Sequence, residues 1–260
     1  MIKALPLLAP LLIVTVVGCG KADPLKNDAF AYYGLGNTNP MRLQIVQGEG
    51  GFPTPATRTV IPGKREGNKQ SFTLKNEGGT ENEGDIALSL EPDGVYAMSS
   101  TKNKIVAHSV ELPGKLDVGT VWKDHTQMID QKIDLQNELK VVGRERVSTA
   151  GGTFDDALHV KSTGSGTYRG EPASLETESW YVKDLGPVKQ IVVVAPKKGA
   201  KQTVTIELAA PEKAPEAGGD PSMGAPGGAM PGGAVPGGAM PPTRDPGMSA
   251  PTPPAAGGKK

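Results

Sequence analysis

The chain has 260 residues, with 28 basic and 28 acidic side chains, 4% aromatics and a single cysteine. So even a charge balance gives no electrostatic reason to expect nucleic acid or an anionic membrane surface as a partner, and one cysteine cannot close a disulfide within the chain. With so few aromatics, the core has to be built mainly from Val, Ile and Leu.

At the N-terminus, Lys3 is followed by an apolar run, Ala4 to Val17, which ends in Val16-Val17-Gly18-Cys19. That is the layout of an exported precursor. Two aliphatics, Gly and then Cys resemble the bacterial lipobox. The resemblance implies a diacylglycerol on the Cys19 sulfur, cleavage between Gly18 and Cys19, and acylation, for instance by palmitate, of the new amino end. A membrane-spanning helix would need about 20 apolar residues, whereas this run offers fourteen, interrupted by Pro6 and Pro10. An ordinary secretory signal with a chance cysteine is the remaining alternative. Loss of residues 1–18 removes Lys3 alone, leaving 27 basic against 28 acidic residues. With Cys19 lipidated no thiol remains, so zinc-thiolate sites and cysteine nucleophiles are excluded. One acyl chain holds a protein only marginally, but two or three hold it permanently. Gly20 stands where many inner-membrane lipoproteins carry Asp, which by analogy favours the outer membrane. The plan is then a signal peptide (1–18), a lipidated tether (19–27), one β domain (28–210) and a tail (211–260).

Within the domain the apolar residues recur with period two. Ile86, Leu88 and Leu90 alternate with Asp85, Ala87, Ser89 and Glu91. Ile133, Leu135, Leu139 and Val141 alternate with Lys132, Asp134, Gln136, Glu138 and Lys140. Leu158 and Val160, then Val204, Ile206 and Leu208, repeat the pattern. Each predicts an antiparallel strand with one solvated face. The β-branched run Ile191 to Val194 predicts a strand covered on both faces. Gly78-Gly79, Pro92-Asp93-Gly94, Gly151-Gly152 and Gly164-Ser165-Gly166 read as hairpin turns. The best helical candidate is short, around Lys123 to Gln131. These signals predict an all-β fold with room for one short helix. Its mostly antiparallel sheet is expected to be strongly curved, closed into a half-barrel or barrel or folded over as a sandwich.

The chemical motifs weigh against catalysis. Ser99-Ser100-Thr101-Lys102 matches Ser-x-x-Lys but lacks the companion Ser-Asp-Asn and Lys-Thr-Gly elements. Glu77, Glu81, Glu83 and Asp85 are oxygen ligands in a Gly-rich stretch, yet they miss the calcium-loop spacing and read as a charged hairpin tip. Among the histidines, His108 shares parity with Val110 and Leu112 and is expected half-buried, His159 shares parity with Lys161 and is expected solvated, and His125 completes the set. None has a partner at metal-ligand spacing. No nucleophile elbow is present, so no catalytic residue, metal or cofactor is expected beyond the covalent lipid.

The last fifty residues, Pro211 to Lys260, hold twelve Pro and twelve Gly, with Pro-Gly-Gly-Ala-Met/Val repeating at 226, 231 and 236. A period of five cannot form a collagen helix. The composition predicts a disordered segment whose ends lie on the order of 40 Å apart. Met223, Met230, Met240 and Met248 are soft thioether ligands suited to Cu(I), but their irregular spacing and the lack of nearby His or Cys speak for a solvated spacer.

Four stretches resemble a group of uncharacterised bacterial secreted proteins and lipoproteins. They are Ala31-Tyr32-Tyr33-Gly34-Leu35-Gly36-Asn37-Thr38; Leu112-Pro113 with Val118-Gly119-Thr120-Val121-Trp122; Val142-Gly143-Arg144-Glu145 with Ala150-Gly151-Gly152-Thr153-Phe154; and Trp180 through Lys189. That group is similar to the lipoprotein-carrier (LolA-like) class, which implies a curved antiparallel sheet forming an incomplete barrel. Asn39-Pro40 departs from it, standing where the group carries Trp. Trp122, Phe154, Trp180 and Tyr181 are the candidate anchors of the core or of a groove, with Trp122 and Trp180 expected on the inner face. The expected function is a non-catalytic envelope lipoprotein, a binding or assembly module held by its lipid. The alternatives are a carrier of an apolar ligand such as an acyl chain and, less favoured, an envelope hydrolase.

Overall fold

A computed structural model describes residues 23–105 and 108–211. The signal segment, Cys19 and most of the Pro/Gly-rich segment lie outside the described residues. Helix α1 (Asp28–Tyr32) is followed by strands β1 (Met41–Gln47), β2 (Thr54–Glu66), β3 (Lys69–Gly78), β4 (Ile86–Glu91), β5 (Gly94–Ser100) and β6 (Ser109–Pro113). The second half comprises β7 (Val121–Met128), β8 (Ile133–Thr149), β9 (Gly152–Tyr168), β10 (Glu171–Val182), β11 (Gly186–Pro196) and β12 (Gln202–Leu208).

All twelve strands belong to one antiparallel sheet in the order β6-β5-β4-β3-β2-β1-β12-β11-β10-β9-β8-β7. Each strand pairs with its neighbours in sequence except at one step. First and last strands pair, Leu43 opposite Leu208 and Ile45 opposite Ile206, which joins the two halves. The break falls between β6 and β7, which approach one another without a backbone ladder. The sheet is thus a nearly closed up-and-down barrel with one seam. The all-β, strongly curved antiparallel sheet expected from the alternation is what the chain forms.

One end of the barrel is capped by α1. Asn27 starts the helix by accepting the Phe30 N–H on its side chain at 2.8 Å. Ala29, Tyr32 and Leu35 are buried among Val60, Phe72, Leu88, Leu90, Leu112 and Trp122. Asp28 fastens the cap: its N–H donates to Gly114 O, and its carboxylate accepts from Leu116 N. Gly34 has φ +72°, and a Cβ there would press into the Leu185 carbonyl 2.5 Å away. Only glycine allows this close approach of cap and β10–β11 turn.

Three sequence expectations are corrected. The stretch 123–131, offered as a helix, runs instead through β7 and a single 3-10 turn at Ile129–Gln131, because Trp122, Asp124 and Thr126 face the barrel interior opposite Leu139, Asn137 and Leu135; the helix lies at 28–32. Gly164-Ser165-Gly166 is no turn but the middle of β9, paired on both sides. The third concerns Trp180, whose neighbours across the sheet, His159 and Lys189, face away from the interior.

That outward face is covered locally. Strands β8 and β9 are seventeen residues each and outrun their neighbours. Register shifts at Val141/Gly143 and Glu145/Val147 bend their tip. The tip reaches β12, where the Gly151 N–H donates to Leu208 O at 2.9 Å. Val147, Phe154 and Ala157 then pack on Trp180, Val188 and Ile191 as a second small core. Of the Ile191–Val194 run, expected to be covered on both faces, the tip covers Ile191 on the outer side.

Candidate functional site: the barrel lumen

The interior of β6 to β11 encloses a cavity of about 330 Å³. Its apolar wall is Leu139, Val160, Leu175 and Val192, with Met128 at the end opposite the cap. Its polar wall carries Glu111, Asp124, Thr126, Asn137, Ser179 and Tyr181. The lumen widens because inward positions of β9 shrink along the strand, from Leu158 and Val160 to Ser162, Gly164 and Gly166. A Cβ on Gly164 would collide with Asn137 Oδ1 and the Gln136 carbonyl.

The polar wall is a connected network. Asp124 accepts from Ser109 Oγ at 2.7 Å and from Thr126 Oγ1 at 3.0 Å, and Asn137 Nδ2 donates to Thr126 Oγ1 at 3.1 Å. The first of these bonds bridges the seam. On its outer side a shallower cavity of about 290 Å³ shares Val110, Asp124 and Asn137 with the lumen. Glu111 is the bulge residue of β6, skipped where Val95 pairs Leu112 and Tyr96 pairs Val110. Burial pushes its carboxyl up to about 7, and the nearby Asp124 carboxylate adds to the rise. Tyr33 donates to Glu111 Oε2 at 3.4 Å. Burial and then Glu111 raise the Tyr33 hydroxyl well above its usual range and Tyr181 to about 12. On the far side Arg58 pairs with Glu83 at 3.4 Å and contacts Asn76 Oδ1.

Chemically, this lumen holds one carboxyl, Glu111, that titrates near neutrality, and a second, Asp124, that accepts from two hydroxyls. Such a wall favours a ligand that donates hydrogen bonds or carries positive charge, with an apolar portion against the aliphatic side.

The residues singled out in the sequence divide between two places. Trp122 is buried in the interior core, and Tyr181 lines the lumen. Trp180 and Phe154 lie on the outer face under the β8–β9 tip. There Trp180 Nε1 donates to Glu145 Oε1 at 2.7 Å, and its ring stacks on His159 at 4.6 Å. His159, expected in solvent, is 7% exposed, because the hairpin tip folds over it; its nitrogens face Glu145 at 3.0 Å and Glu178 at 3.2 Å. His108, expected half-buried, is exposed at φ +65° and stacks on Tyr96 at 4.1 Å, because the chain turns before β6 begins. His125 is outside, 2.8 Å from Asp134. The acidic loop does not converge: Glu77, Glu81 and Glu83 pair with Lys75, Lys102 and Arg58 respectively, and Asp85 accepts from Asn76 N.

Glu111, Asp124 and Asn137 escaped the sequence reading, though one signal was present. Asn137 occupies the apolar phase of Ile133-x-Leu135-x-Asn137-x-Leu139-x-Val141, and Asp124 shares parity with Trp122. A polar residue at an inward position marks a polar interior.

No family model matches the chain, and no curated protein does. Among solved structures, a "putative lipoprotein" from Parabacteroides distasonis ATCC 8503 is similar at a TM-score of 0.42 and 14% identity, over 65% of this chain and 93% of that one. A "putative exported protein with YmcC-like fold" from Bacteroides fragilis NCTC 9343 is similar at 0.38 and 11%, over 67% and 95%. Neither likeness assigns a role to any residue here.

Proposed function

We propose that this protein is a lipid-anchored lipoprotein of the cell envelope that binds a small amphipathic ligand in the barrel lumen without transforming it. The observation that carries this reading is the lumen of about 330 Å³, walled on one side by aliphatics and on the other by hydrogen-bonding groups. That volume lies at the small end of ligand cavities. It suits a compact molecule with a donor-bearing head better than a long acyl chain, so the carrier reading ranks second. The lipobox at Val16–Cys19 supports the anchor, and Gly20 supports the outer membrane. The non-catalytic reading is supported by the placement of the histidines, none of which lines the lumen.

The test is native mass spectrometry of the mature chain carrying Cys19→Ser, purified without detergent, alongside the same chain carrying Thr177→Leu, which fills the lumen from its wall. The reading expects a co-purified small molecule on the first protein, reduced or absent on the second. Equal adducts on both would sink the lumen as the site, and an acyl-chain mass would favour the carrier.

A further inference from the structure

We infer that the capped end of the barrel rests on the bilayer, with Val118, Val121 and Val142 in the headgroup layer, so that the lumen faces away from the membrane. This rests on the lipid-anchor reading of Cys19.

The chain enters the described domain at the capped end. Asp23 pairs with Arg65 at 2.9 Å, beside the β2–β3 turn, and shares a surface groove with Lys115, Asp117 and Thr120. Cys19 lies four residues upstream, so the lipidated sulfur is tethered within about 14 Å of Asp23. Strands β7 to β11, five of the six that wall the lumen, are at least eight residues long, which makes the barrel about 20 Å tall once strand tilt is allowed for. A tether this short cannot carry the far end to the bilayer, whereas it holds the capped end against it.

The surface at that end suits the contact. Val118 is 63% exposed, Val121 50% and Val142 37%. The loop before β7 joins the bend in β8, as the Gly119 N–H donates to Val141 O and the Val141 N–H to Thr120 O. These bonds bring the three valines to one rim. Lys115, Lys123 and Lys140 are exposed around them, Lys140 opposite Val121. Their stems can lie along an apolar surface while the ammonium groups reach lipid phosphates. The acidic groups at this end include Asp23, which pairs with Arg65, Asp28, which accepts from Leu116 N, Asp93, Asp117 and Glu138, the last facing Lys123. At the other end, Phe52 and Ile129 are exposed singly, in turns at the ends of different strand pairs.

The experiment uses the full acylated protein reconstituted in phosphatidylethanolamine–phosphatidylglycerol vesicles. Val118→Cys and Phe52→Cys variants carry an environment-sensitive nitrobenzoxadiazole label, with Cys19 consumed by its thioether. The label at 118 should brighten severalfold on reconstitution and be quenched by lipids spin-labelled at the headgroup, while the label at 52 stays unchanged. An aqueous signal at 118, or lipid quenching at 52, overturns the orientation when intact mass shows acylated Cys19. If intact mass shows unmodified Cys19, the anchor reading falls, and this inference falls with it.

Discussion

Glu111 illustrates how one residue couples the lumen to pH. Its carboxyl titrates near 7 in the folded protein, against a reference of 4.5. The folded state therefore holds a proton that the unfolded chain has released between those values. Its contribution to stability is greatest below about 4.5, falls as pH rises toward 7, and is constant above. Glu111→Gln should remove that decline. The variant should be more stable than wild type above pH 7, by about 1–2 kcal/mol once partial exposure is discounted, with the gap closing toward pH 4.5. Urea titrations across this range measure it, and a gap that widens on acidification would contradict the assignment. Gly164→Ala tests packing at the same scale: the Asn137 and Gln136 oxygens crowd its Cβ, so a loss of about 1–3 kcal/mol is expected.

Among the elements, the β8–β9 hairpin tip and the seam make the sharpest claims. The tip buries Trp180 to 8% exposure on the outer face. Trp180→Ala should cost about 3–5 kcal/mol. Trp180→Phe, which keeps a ring against His159 but loses the bond to Glu145, should cost about 1–2 kcal/mol. Chemical denaturation separates the two. Gly151→Val should lift the tip, because a Cβ there meets the Ala209 carbonyl and the Leu208 side chain at 2.7 Å; a red-shifted Trp180 emission in a Trp122→Phe background reports the uncovering. At the seam, Ser109→Ala removes the Ser109–Asp124 bridge. Amides of β6 should then exchange faster with solvent, while those of β4 are unaffected.

For the molecule as a whole, strand content and much of the pairing were legible because period-two alternation is local: β4, β8, β9 and β12 fall on their apolar runs. The lumen was less legible. A polar inward residue such as Asn137 interrupts the very signal that identifies a strand, and Glu111 enters the lumen through a bulge that alternation cannot register. Gly164-Ser165-Gly166 misleads for a related reason: glycine frees the backbone for turns but also empties the space beside a strand, and composition does not say which.

The sequence by itself determined an all-β chain and a Pro/Gly-rich segment distinct from it, since these depend on composition and near neighbours. Tertiary structure decided where the barrel breaks, which face each tryptophan takes, and that Glu111 and Asp124 meet. Those outcomes depend on the bend of β8–β9 and on register shifts between strands far apart in the chain. A displacement of one residue reverses the face of a side chain, and nothing within a few residues of Trp180 specifies the hairpin that covers it.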